Sequence, residues 1–332
     1  LPTVGDTIGP GGVFRLIRTQ PILQQIADNL REVAPHAWVL NYSNPMAMNM
    51  LALAAAGHTR SVGLCHSIQY TYQELACWCG VPESDLDRVR YTAGGINHVN
   101  FYLTLEYQGR NLYDELLANQ EALIAAHPEE RVRFELLEYL GYWPAEGPHH
   151  QSEYYPWFRK NPAAVDYYGL DTLFGYHTDM RINEELEAEV DQQIQAGRIN
   201  EWERSMEYGA YIINALEGGA PQLFYGNVPN ADLITNLPRH AVVEVPCLAE
   251  ANGIFPCHVG EVPPQLAAVQ TPHIAVHQLA LAGVQARSRR LIRQAIQADP
   301  LTGAILTLAQ TREMVDELFA ANADYTAAWP RE

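Results

Sequence analysis

The residues able to do chemistry stand in a few short clusters. Cys65-His66-Ser67 sets a thiol beside an imidazole. A thiolate binds metal, and an imidazole binds metal or moves protons. Gly94-Gly95-Ile96-Asn97-His98 carries a second imidazole behind two glycines, which let a backbone approach something closely. Cys65 and His98 are 33 positions apart, so spacing does not show that they meet; they do so if both segments face one cleft. Asn41-Tyr42-Ser43-Asn44-Pro45 offers amides and hydroxyls for a sugar or a ribose, or equally a turn that caps a helix. Between Pro148 and Phe158 lie His149, His150, Glu153, Tyr154 and Tyr155. That density suits either a site or an aromatic surface loop packing an interface. His273 and His277 are four apart but lack Glu-x-x-His company, so an ordinary helix face is expected. Arg287, Arg289, Arg290 and Arg293 read as a solvated helix side.

Secondary structure must position these clusters. A helix with Ile22, Leu23, Ile26, Leu30 and Val33 on one face stops at Pro35. A buried strand, Ala37 to Asn41, runs into the first polar cluster; a helix from Met46 to Ala56 follows, closed by Gly57. A second strand, Ser61 to Leu64, runs into Cys65, and a helix from about Gln69 to Cys79 ends at Gly80. Short strands alternating with helices predict a parallel sheet with crossover helices, whose ligands bind beyond the carboxyl ends of the strands. From His98 to Tyr107 the pattern alternates, with Val99, Phe101, Leu103, Leu105 and Tyr107 on one face and Asn100, Tyr102, Thr104 and Glu106 on the other. This predicts a half-buried antiparallel strand. Helices are expected from Leu112 and over Glu130–Leu140, Ile182–Ala196 and Glu201–Leu216, then strands at Gln222–Tyr225 and Ala241–Pro246, then helices from Pro264. The expected class is α/β followed by a larger mixed α+β part.

Composition excludes several functions. The 332 residues carry 21 Lys+Arg against 39 Asp+Glu, a formal net charge of −18, with Lys160 the single lysine. Such a chain repels a phosphate backbone and an anionic bilayer, so neither nucleic acid nor membrane is expected as a partner. No apolar run approaches the roughly 20 residues of a membrane span. Five scattered cysteines, Cys65, Cys77, Cys79, Cys247 and Cys257, are not a disulfide framework; structural thiols in a reducing cytoplasm are expected, Cys65 excepted.

Seven stretches together carry a resemblance. They are Asp6 to Gly12, Asn41 to Asn49, Gly63-Leu64-Cys65-His66-Ser67, Gly95-Ile96-Asn97-His98, Glu153-Tyr154 with Pro156-Trp157-Phe158, Tyr225 to Val228, and Val243-Glu244-Val245. In this order and over nearly the whole chain, they resemble glycoside hydrolase family 4, in its α-galactosidase (melibiase) branch. The resemblance implies a partial Rossmann-like parallel sheet followed by a mixed α+β domain, similar to lactate and malate dehydrogenases. Residues 1–80 would be the second half of a nucleotide-binding domain, and 81–332 a domain for metal, substrate and oligomerisation. It implies NAD⁺ and Mn²⁺ as cofactors and hydrolysis by redox elimination, outside the two-carboxylate scheme. Cys65 and His98 would be the metal ligands, although Mn²⁺ ordinarily prefers oxygen. Asn44, with Ser43, would contact the nicotinamide ribose; Asn44 and Asn97 would line the sugar site. His66 would be the acid, and its presence where phosphosugar branches have Asp suggests an unphosphorylated glycoside. The base would be Tyr154, with His150 as second choice. Asp6 and Arg18 would face the substrate cleft. A homo-oligomer, dimer or tetramer, in the cytoplasm is implied.

The chain departs from that family in one respect. No Gly-x-Gly-x-x-Gly follows a strand, and Gly9-Pro10-Gly11-Gly12 is not that motif. The resemblance implies a further segment on the order of a hundred residues carrying the pyrophosphate loop: either the sequence is truncated, or that part is on another chain, or the protein does not hold NAD⁺ in the usual way. Two other readings stay open: a hydroxyacid dehydrogenase on the same fold, which needs neither thiol nor metal, and a non-catalytic sugar-binding remnant.

Overall fold

The computed structural model describes residues 5, 7–170, 176–198 and 207–330. Helix α1 (Gly9–Val33) begins inside the glycine-rich opening, with Pro10 in its first turn, where a missing N–H costs nothing. The apolar face expected on it is corrected. Of that set only Leu23 is buried, while Ile22, Ile26 and Val33 are exposed; Val13, Phe14, Leu16 and Ile17 enter the core instead. Periodicity finds a helix, but its neighbours choose the buried stripe.

Strand β1 (Val39–Asn41), helix α2 (Met46–Ala55), strand β2 (Ser61–Leu64) and helix α3 (Ser67–Trp78) follow as the alternation predicts. Strands β3 (Arg90–Ile96), β4 (Val99–Tyr107) and β5 (Arg110–Asn111) come next, then helices α4 (Leu112–Ala118), α5 (Gln120–Ala126), α6 (Arg131–Leu140), α7 (Pro148–Tyr154), α8 (Pro162–Tyr167), α9 (Tyr176–Gln195) and α10 (Gly209–Leu216). The expected helix over Glu201–Leu216 falls partly on residues 201–206, outside those described. Strands β6 (Gln222–Pro229), β7 (Val242–Glu250) and β8 (Gly253–Pro256) precede α11 (Pro264–Ala286), α12 (Arg289–Ala298), α13 (Pro300–Ile305) and α14 (Leu308–Ala321).

The eight strands among the described residues share one sheet, in the order β1-β2-β6-β7-β3-β4-β5, with β8 on β7. Among the named strands, only β1 and β2 pair in parallel; the other strand pairs are antiparallel. The expected parallel sheet is thus a single βαβ unit, since only α2 supplies a crossover between neighbours. Beyond β2 the sheet is continued by β6, with Gly63 opposite Asn227. The sheet therefore joins the first region to the second.

Strand β4 departs from its predicted half burial. Asn100 and Tyr102, on the face expected to meet solvent, are fully buried. Asn100 donates to the Glu244 carbonyl at 2.9 Å. Tyr102 joins a second core with Phe134, Leu137 and Trp143, apart from the main core along α1, α2, α11 and β7. The arginines near 290 are also more engaged than expected: Arg289 lies 4.5 Å over the Phe319 ring, and Arg293 meets Asp316 at 3.2 Å.

Candidate functional site

Cys65 follows β2 directly and is partly buried. His98 sits in the two-residue turn between β3 and β4, where Ile96 pairs with Val99. Its φ of 62° lies in the left-handed region, which costs a non-glycine residue energy and is kept where surroundings impose it. Gly95 makes that turn possible. A Cβ there would stand 2.5 Å from both Gln270 Nε2 and the Val99 carbonyl. Gln270 Nε2 donates to that carbonyl at 2.9 Å, clamping the hairpin to α11.

The sulfur of Cys65, a ring nitrogen of His98 and a carboxylate oxygen of Glu146 all lie within 4.8 Å of one another. Sequence reasoning named the first two and missed Glu146, which arrives on the loop between α6 and α7. His98 Nε2 faces Glu146 Oε2 at 3.3 Å. Burial raises the Glu146 carboxyl, but His98, then His150, the Gly147 N–H and His66 outweigh it, so the net shift is downward. Glu146 is therefore held as a carboxylate. Burial pushes the Cys65 thiol up, and Glu244 and Glu146 add to the effect.

On its other side, His98 Nδ1 lies 3.0 Å from the Tyr154 hydroxyl. Thr7 Oγ1 hydrogen-bonds that hydroxyl and stands 3.4 Å from the same nitrogen. The backbone of His98 is fixed too, its carbonyl accepting from Gln151 Nε2 at 2.6 Å. The Pro148–Phe158 cluster, open beforehand between site and surface loop, thus contains helix α7 with Gln151, Ser152, Glu153 and Tyr154 buried. The His150 ring is 5.3 Å from that of His98, and its Nδ1 is 3.6 Å from Glu153 Oε2. Glu153 in turn accepts from the Gly5 N–H at 3.3 Å.

His66 is exposed beside Cys65, its Nδ1 3.3 Å from Glu207. Asn97 is buried, and its Nδ2 has no hydrogen-bond partner. Asn44 and Ser43 stand beyond the carboxyl end of β1, where Ser43 Oγ donates to Asn41 Oδ1 at 2.7 Å. Arg18 is not brought to this group; it bonds Asn322 Oδ1 at 2.9 Å, at the end of α14. Asp6 lies outside the described residues. His273 and His277 are buried on α11, and burial lowers them to about 4 and about 3. The His273 ring packs 5.3 Å from that of Tyr154, but neither histidine joins the three-donor group.

Glu244 was read only within a shared stretch, with no role assigned to it. It is fully buried on β7, its carboxylate accepting from Asn227 Nδ2 at 3.1 Å and Asn100 Nδ2 at 3.4 Å. Burial raises its pKa to about 7, against the pull of His98 and Asn227. A single acid amid Val242, Val243 and Val245 was the available signal.

Residues 1–81 match the Family 4 glycosyl hydrolase description, and residues 93–302 its C-terminal domain. The chain is 36% identical to an α-galactosidase of Bacillus subtilis (strain 168), over 97% of this chain and 74% of that protein. It is 34% identical to an α-galactosidase of Rhizobium meliloti (strain 1021), over 97% and 67%. An α-galacturonidase of Lachnoclostridium phytofermentans is 30% identical over 97% and 74%. Among solved structures, a 6-phospho-α-glucosidase from gut microorganisms, in complex with NAD and Mn²⁺, superposes with a TM-score of 0.79 at 18% identity, covering 98% of this chain and 75% of that one. At that identity the likeness is one of fold.

Proposed function

The chain belongs to glycoside hydrolase family 4, and on that footing we propose that it hydrolyses α-galactosides by redox elimination with NAD⁺ and Mn²⁺. The observation that carries this reading is the convergence of Cys65, His98 and Glu146, with Tyr154 on the far side of the His98 ring. A sulfur, an imidazole nitrogen and a carboxylate oxygen this close fit one divalent ion, and the carboxylate answers the preference of Mn²⁺ for oxygen. Those three residues would hold the metal. Ser43 and Asn44 would meet the nicotinamide ribose; the described residues offer no glycine-rich loop for the pyrophosphate. When bound, Mn²⁺ supplies Lewis acidity at the sugar hydroxyls and NAD⁺ a reversible hydride acceptor at C3, the chemistry that acidifies the C2 proton.

The protein's own residues then have separate tasks. Ligation through His98 Nε2 would leave the ring proton on Nδ1, where it donates to Tyr154 Oη 3.0 Å away. A phenolate accepting that bond is a base for the C2 proton. Thr7 adds a second bond and fixes the direction of the hydroxyl. His150 is the other candidate, placed by Glu153. His66, exposed at the mouth, would protonate the departing glycosidic oxygen. The orphan Asn97 Nδ2 is a donor that a sugar hydroxyl would satisfy. Asp6 stays in the proposal as a sugar contact on sequence grounds alone, and Arg18 has no geometric support.

The domain division at residue 80, a cytoplasmic location and a homo-oligomer belong to the same proposal. Five unpaired thiols suit a reducing compartment. An exposed apolar stripe on α9, Leu186, Val190 and Ile194, suits self-association. No described helix is long and apolar enough to cross a membrane. The test is an assay with p-nitrophenyl α-galactoside, NAD⁺, Mn²⁺ and a thiol reductant, omitting each in turn. Release of nitrophenol should need both cofactors; activity that survives without NAD⁺ or without metal would overturn the reading.

A further inference from the structure

The metal-ligand group does not close on itself. Glu146 and His66 also line an open cleft of about 530 Å³, together with Tyr70, Glu74, Glu129 and Arg133. That volume falls within the roughly 300–1,000 Å³ usual for small-molecule sites. Its floor is rigid. The Arg133 guanidinium is buried between the rings of Trp78 and Trp143, at 5.5 and 5.2 Å. Its Nε and Nη2 donate to Glu130 at 2.5 Å, and Nη2 also donates to Glu74 at 2.7 Å, so its charge is paired with carboxylates. The wall carries an exposed tyrosine ring, Tyr70, set edge-on to the His66 ring at 5.1 Å.

Resting on the proposed function, we infer that this cleft is the subsite for the leaving group, shaped for a neutral sugar. The geometry orders the pieces. If the galactosyl ring lies at Cys65, His98 and Glu146, and His66 protonates the oxygen that departs, the group on that oxygen extends past His66 into the cleft. Carboxylates such as Glu74 and Glu129 accept hydroxyl protons of a sugar, and an aromatic ring covers its apolar face. The same carboxylates, with Arg133 already paired, repel a leaving sugar that carries phosphate or carboxylate.

Kinetics and binding test this together. The ratio of kcat/KM for α-1,6-galactosyl-glucose to that for methyl α-galactoside should fall roughly three- to tenfold in Tyr70→Ala. Glu129→Gln should lower it in the same direction; an unchanged ratio in both variants would overturn the inference. Saturation-transfer NMR on the full chain, with Mg²⁺ in place of paramagnetic Mn²⁺, gives a readout without turnover. Both rings of the disaccharide should receive saturation, and in Tyr70→Ala the glucose ring should lose it. Saturation of the galactose ring alone in the native protein rejects the subsite and leaves the proposed function standing. Saturation of neither ring counts against both.

Discussion

Tyr154 Oη lies 3.0 Å from His98 Nδ1, although 56 positions separate the two residues. The contact joins a metal-ligand candidate to a proton-transfer candidate through a single imidazole. It follows that the two functions can be separated by mutation.

Tyr154→Phe removes one hydroxyl and keeps the ring against His273. The expected result is a loss of kcat of roughly 10²–10⁴-fold, with Mn²⁺ binding retained. Steady-state kinetics with manganese titration on the same preparation check it. Near-native turnover would move the base to His150.

The metal assignment is read from binding itself. Cys65→Ser and His98→Asn should each abolish stoichiometric Mn²⁺ uptake followed by electron paramagnetic resonance. Glu146→Gln should weaken it by roughly tenfold or more. A chelator should silence the enzyme, and added Mn²⁺ should restore it. Undiminished uptake in Glu146→Gln would remove that residue from the ligand set.

Arg133 tests the second core. It is buried with Glu130, whose carboxyl is raised by burial and only partly held down by the arginine. Arg133→Met should cost about 3–5 kcal/mol in urea unfolding, because Glu130 is left buried and alone. Adding Glu130→Gln should recover part of that loss.

Asp299 gives a pH signature. Burial lifts its pKa to about 6 from an ordinary 3.8, although Thr302 bonds the carboxylate. A folded-state pKa above the unfolded value means that the native protein holds the proton more tightly. That stability is complete below the unfolded pKa and is lost as pH rises through about 6. Asp299→Asn keeps the cap on α13 and should gain about 1–2 kcal/mol near pH 8, with no gain near pH 3.5. Thermal unfolding at the two pH values checks the sign.

Much of the candidate site was legible in the chain. The strand ends at Asn41 and Leu64 placed the Asn44 and Cys65 clusters, and the glycine pair marked the turn that carries His98. Glu146 was not legible, because a lone carboxylate between Ala145 and Gly147 has no periodic signal. Thr7 was read within a motif but not as the partner of Tyr154. The exposed face of α1 misled for a related reason: a stripe of Ile22, Ile26 and Val33 specifies a helix whichever side meets the core.

By itself, then, the sequence carried the family resemblance, the βαβ unit and, through that resemblance, Cys65 and His98 as candidate ligands. The βαβ unit follows from residue type and local period, which each segment carries within itself, and the candidate ligands from the shared motifs. Only the tertiary structure decided that β2 pairs antiparallel with β6, that Asn100 turns inward to Glu244, and that Glu146 lies beside the two candidate ligands. These are long-range closures. Their free energy comes from burying surfaces distant in the chain, and the shift of Glu244 to about 7 exists only once that burial has excluded water.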